Sequence, residues 1–127
     1  MGNRCVCVFD SEPTIGLYLH WNGSKPSIEA ALRCMRRYKV RSGDYGIARF
    51  SQVFMTFIGG SLSVGIGTLE NLDTEGDNGI FYIDTKRWVI TGRKTQCDEH
   101  EDSVYEDEVF EAMCKACDGV FGYEEQS

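Results

Sequence analysis

Cys97-x-x-His100 and Cys114-x-x-Cys117 are two pairs of soft ligands, each with a two-residue gap, and 13 residues lie between them. Tetrahedral zinc accepts four such donors at this kind of spacing. A zinc site made by Cys97, His100, Cys114 and Cys117, in a small zinc-stabilised interaction module, is therefore one expectation. Zinc knuckles place glycine or proline around their cysteines, whereas Cys114 and Cys117 fall late in a helical pattern. At i and i+3 they share one face of that helix, where reduced thiols also pack as small hydrophobes.

Other groupings carry chemical residue types. Asp73-x-Glu75-x-Asp77, with Asp84 in the twelfth position, outlines a calcium loop, but its turn glycine, Gly79, comes one residue late and strand patterns flank it, so a solvated turn is expected. Cys5 or Cys7 with His20 would pair a thiol with a base across a hairpin. No third, orienting group accompanies them, and the pattern favours both cysteines in the core. Gly59-Gly60 and Gly65-x-Gly67 are not followed by the helix that a phosphate-binding loop requires. No residue is therefore assigned a catalytic role.

A ligand pocket is the next candidate. His20, Trp21 and Asn22 end a strand, and Arg49 and Gln52 interrupt an otherwise apolar helix. Arginine beside an aromatic ring suits a nucleotide or phosphate ligand. The alternative is that Arg49 pairs with Glu29 or Asp44.

Charge is divided unevenly. Residues 1–94 sum to +3 and residues 95–127 to -10, within a net charge of -7. Asp98, Glu99, Glu101, Asp102, Glu106, Asp107 and Glu108 concentrate the acidity. Such a segment repels nucleic acid and suits a basic protein surface; the alternative is a solvated helix face with a frayed end.

The elements that must position these residues follow from periodicity. Residues 44–60 are apolar almost all the way round, with Ile47, Phe50, Phe54, Phe57 and Ile58 at helical steps, Asp44 as N-cap and Gly59-Gly60 as the stop. A buried central helix is expected there. Residues 5–9 and 15–21 read as a hairpin, and residues 27–39 as a helix with a basic side made by Arg33, Arg36, Arg37 and Lys39. Leu62, Val64 and Ile66 alternate with Ser61, Ser63, Gly65 and Gly67, a strand with one small-residue face suited to a packed helix. Residues 79–84 and 88–92 form another hairpin. Ser103 and Glu106 fit a capping box for a last helix that ends at Asp118-Gly119. The order β-β-α-α-β-β-β-α predicts one α+β domain over residues 1–127 with a largely antiparallel sheet.

The composition, 42% hydrophobic and 12% aromatic, is that of a globular chain. No apolar run approaches the roughly 20 residues of a membrane span, and the sequence MGNRCVCVFD lacks a signal peptide's apolar core. The expected location is cytoplasmic, with the six cysteines reduced.

Gly16-x-Tyr18-Leu19-His20-Trp21-Asn22-Gly23 with Ser27-Ile28-Glu29-Ala30, Tyr45-x-x-Ala48-Arg49-x-x-Gln52-Val53, Gly59-Gly60-x-x-Ser63-Val64-Gly65-Ile66, Asp77-Asn78-Gly79 and Trp88-x-Ile90-x-x-Arg93 form a combined pattern over residues 13–93. It resembles a family of small, uncharacterised proteins encoded by phages and prophages. The cysteine-bearing last third lies outside that pattern. The resemblance implies no catalytic residues. It implies a phage accessory context, in which small acidic proteins often block a host defence effector, as anti-CRISPR proteins do, or sequester a signalling nucleotide. The expected partner is a nucleic-acid-binding host protein. Phe121 and Tyr123 are candidates for a homodimer contact.

Overall fold

A computed structural model describes residues 3–72, 74, 76–95 and 106–118. The elements are β1 (Cys5–Phe9), β2 (Glu12–Leu19), α1 (Lys25–Arg37), α2 (Gly43–Ile58), β3 (Val64–Thr68), a 3-10 turn (Leu69–Asn71), β4 (Ile80–Asp84), β5 (Val89–Lys94) and α3 (Glu106–Cys117). The α+β domain has the expected order, with the 3-10 turn added. β2 begins earlier than the alternation of residues 15–21 suggests, because the hairpin turn is made at Asp10-Ser11.

The five strands form one sheet in the order β3-β2-β1-β4-β5. Three of its pairings are antiparallel, and β1 with β4 is parallel, Val6 lying opposite Ile80 and Val8 opposite Tyr82. The parallel pair explains why residues 5–9 are apolar without alternation. β1 is the central strand and is buried on both faces, as every residue from Cys5 to Phe9 is 4% exposed or less.

All three helices cover one face. Cys5, Cys7, Phe9, Leu17, Leu19, Phe81 and Ile83 meet them in the main core. α2 starts slightly earlier than expected, with Ser42 rather than Asp44 at the N-cap and Asp44 in the first turn, and it ends at the expected Gly59, whose φ of 90° is left-handed and whose N–H reaches the Met55 carbonyl. α1 is buried further round than α2. Ile28, Leu32 and Met35 are fully inaccessible, and Ala30, Ala31 and Cys34 are too. Complete burial of each large apolar side chain contributes roughly 1.5–3 kcal/mol. Trp88, 2% exposed, stacks on Phe50 and donates its ring N–H to the Val40 carbonyl, fixing the α1–α2 connection against the β4–β5 turn.

The other face carries a smaller cluster of Val6, Val8 and Ile80 with Tyr18, Leu69 and Leu72. Leu69 and Leu72 lie over Gly16, and Leu72 over Gly67, so a 3-10 turn rather than a packed helix occupies the small-residue face. β3 is an edge strand, and Leu62 and Ile66 are left exposed there. No helix among the described residues is long and apolar enough to cross a membrane.

Candidate functional site

Cys114 and Cys117 share one face of α3, as their spacing predicts, and that face turns toward α1. The partner they meet is Cys34, whose Sγ lies 3.7 Å from Cys114 Sγ. All three thiols are buried. Burial pushes the thiols of Cys34 and Cys114 up, and pushes Cys117 up to about 11, since a low-dielectric site penalises the thiolate. The thiolate is both the nucleophile and the metal ligand. Among the described residues the three buried sulfurs lie where α1 and α3 meet. Among the described residues no group of three or more His, Cys, Asp and Glu side chains is placed to hold a metal. Cys97 and His100 lie outside the described residues. The sequence reading missed Cys34, although it falls at helical spacing between Ala31 and Tyr38 on the apolar side of α1. Tyr38 closes the contact, donating its hydroxyl to the Asp118 carboxylate and the Cys114 carbonyl.

α3 is also anchored by charge. One Arg33 guanidinium N–H group donates to Glu106 at 3.0 Å and to Asp107 at 2.6 Å, and the guanidinium carbon sits 4.0 Å from the centre of the Phe110 ring. Glu106, Asp107 and Glu108 occupy the first turn, where carboxylates offset the positive end of the helix dipole. Glu106 and Asp107 thus hold α3 to α1, although the Asp107 side chain stays 87% exposed. Glu108 and Glu111 are exposed on the same helix. Asp98, Glu99, Glu101 and Asp102 lie outside the described residues.

The expected pocket residues fall into two groups. His20 accepts or donates a hydrogen bond at Nδ1 with the Tyr18 hydroxyl, 3.0 Å away, and packs edge-on against Trp21. Trp21 is 45% exposed, and Asn22 takes a left-handed φ of 63° in the turn leaving β2. A depression of about 220 Å³ beside His20 is lined by Tyr18, Leu62, Ser63, Val64 and Gly65. Arg49 and Gln52 do not line it. Arg49 donates to the Tyr45 carbonyl on its own helix, and its guanidinium lies 5.7 Å from the Tyr45 ring, which Arg41 also covers at 4.3 Å. Gln52 is exposed.

Cys5 and Cys7 point into the helix-side core, whereas His20 lies with Tyr18 on the opposite face. The thiol–imidazole pair is therefore not assembled. Burial, with the neighbouring Cys5, holds the Cys7 thiol well above its ordinary range. In the acidic loop, Asp77 accepts from the Arg4 backbone N–H and Nε, so it clips the chain entering β1 to the chain entering β4. Asp84 accepts from the backbone N–H groups of Arg87 and Lys86 and shapes the β4–β5 turn. Both carboxylates serve the backbone. Asp73 and Glu75 lie outside the described residues.

Comparison with protein-family models, with curated proteins and with solved structures gives no match.

Proposed function

We propose that the chain is a non-enzymatic, phage-encoded accessory protein that binds and inhibits a nucleic-acid-binding host defence effector in the host cytoplasm, using the acidic side of α3 and the acidic residues that precede it in sequence. The observation that supports this reading is the anchoring of α3. Arg33 and the Cys34–Cys114 contact fix the helix to α1, so Glu108 and Glu111 are presented from a rigid support. A preorganised charged surface loses less conformational freedom on binding, and it steers encounter with a basic groove built for phosphates.

The anchoring also decides the experiment. Glu106 and Asp107 hold Arg33, so reversing them would disturb the fold as well as the surface. Glu108→Lys with Glu111→Lys leaves Arg33 paired. In bacteria that carry a nucleic-acid-targeting defence system which the wild-type protein inhibits, this variant is expected to stop protecting an infecting phage while its circular dichroism and melting temperature stay unchanged. Full protection by the folded variant refutes the acidic-surface reading.

A further inference from the structure

On the sheet face away from the helices lies a cleft of about 520 Å³, within the range of small-molecule sites. It sits at the carboxyl ends of the two parallel strands, β1 and β4. Both register breaks of the sheet fall here. In β1–β2 the pairing jumps from Val8–Gly16 to Phe9–Glu12, which pushes Pro13 out as a wall. In β4–β5 Tyr82 pairs with Gly92 and Ile83 with Ile90, so Thr91 is an extra residue at the rim. Bulges re-aim side chains in this way beside binding sites.

The lining is apolar with one anionic corner. Val8, Pro13, Leu69 and the Tyr82 ring supply the walls, and Gly92, having no side chain, leaves the flank of that ring uncovered. Asp10 is held in place at the end of β1. Its N–H donates to the Ile83 carbonyl, and its Oδ1 accepts from both the N–H and the hydroxyl of Thr85. Its Oδ2 has no hydrogen-bond partner among the described residues. We propose that this cleft binds a small molecule with an aromatic body and one cationic nitrogen. The ring packs between Tyr82 and the Val8, Pro13 and Leu69 side chains, and the N–H group donates to Asp10 Oδ2. An ionised partner makes that hydrogen bond roughly twice as strong as a neutral one.

The test is an NMR titration of the ¹⁵N-labelled protein with tryptamine and with indole-3-acetate, which carry the same ring and opposite charge. Tryptamine is expected to shift the amide signals of Val8, Asp10, Tyr82 and Gly92, and indole-3-acetate to bind at least about tenfold more weakly. Asp10→Asn keeps the oxygen that Thr85 uses and removes the charge, and should weaken tryptamine by about tenfold. Gly92→Leu fills the cleft and should abolish the shifts. A Cβ at that position meets only Tyr82, at 3.6 Å, which is an ordinary contact. The proposal is overturned if tryptamine gives no shifts at millimolar concentration, if indole-3-acetate binds equally well, or if Asp10→Asn with a native spectrum binds tryptamine unchanged.

Discussion

Gly46 lies in the first turns of α2, where helix propensity alone favours alanine over glycine by roughly 1 kcal/mol. The structure reverses that sign. A Cβ on Gly46 would run into the Arg41 carbonyl oxygen and would come within 2.5 Å of Trp88 Cζ2. Neither obstacle moves easily. The Arg41 oxygen belongs to the connection held by the Trp88–Val40 bond, and Trp88 is stacked on Phe50 with an interplanar angle of 14°. Overpacking of this kind costs about 1–3 kcal/mol, and displacing the indole forfeits the hydrogen bond to Val40, about 1 kcal/mol more. Against the propensity gain, Gly46→Ala should destabilise the protein by about 2 kcal/mol, moving a urea midpoint down by roughly 1 M. Indole fluorescence in a Trp21→Phe background isolates Trp88 as the reporter. Ala48→Gly, at an exposed position of the same helix, supplies the ordinary propensity effect for comparison. A midpoint for Gly46→Ala that is unchanged or higher would show that Trp88 yields freely, and would refute its role as the tie between α1, α2 and the β4–β5 turn.

Two further predictions concern titration and reactivity. The backbone N–H groups of Arg87 and Lys86 pull the Asp84 carboxyl down to about 2, and Arg4 lowers Asp77, so their stabilisation is complete above about pH 4, where the unfolded carboxylates are ionised, and fades as pH falls toward about 2. Thermal melts between pH 5 and 2 should show this loss, and Asp84→Asn should flatten it; an unchanged slope contradicts the assignment. The thiols run the other way: burial raises them in the folded state, so stability is full below about pH 8.5 and declines as pH rises through about 11, where Cys117 titrates. At pH 8 under native conditions Cys34, Cys114 and Cys117 should react with an aromatic disulfide reagent only as fast as the protein opens, as read by mass spectrometry of the labelled peptides; rapid labelling would show an accessible thiolate.

Much of the fold was legible because periodicity reports burial directly. The apolar wrap of residues 44–60 and its Gly59 stop mark α2, and the alternation of Leu17 and Leu19 with Tyr18 marks which side of β2 faces the helices. The parallel pairing of β1 with β4 was not legible, since an apolar run such as CVCVF is the same whether a strand is covered by helices or by neighbours of either direction. The degree of α1's burial was hidden by Arg33, Arg36 and Arg37, whose charges suggest an exposed side although their stems leave the remaining circumference to the core. At the sites, Cys114 and Cys117 were placed correctly on one helix face, but their partner is Cys34, eighty positions away from Cys114, and no local spacing encodes that contact. Arg33, bridging to Glu106 and Asp107, was missed for the same reason. The cleft at Asp10 and Tyr82 depends on two register breaks, which leave no signature in composition or period.

The middle position of β1 sets an order for folding. Its neighbour on one side, β2, follows immediately, whereas the strand that closes its other side is not complete until residue 84. On the ribosome the valine and cysteine backbone edge of β1 stays unpaired through the synthesis of β2, α1, α2 and β3. Closing that long loop is a non-local step, and such steps slow folding toward the millisecond-to-second range. An open apolar edge is also the kind of surface on which nascent chains associate. The helices cover a face of β1 and leave its backbone edge groups unpaired, so that edge is closed only when β4 arrives.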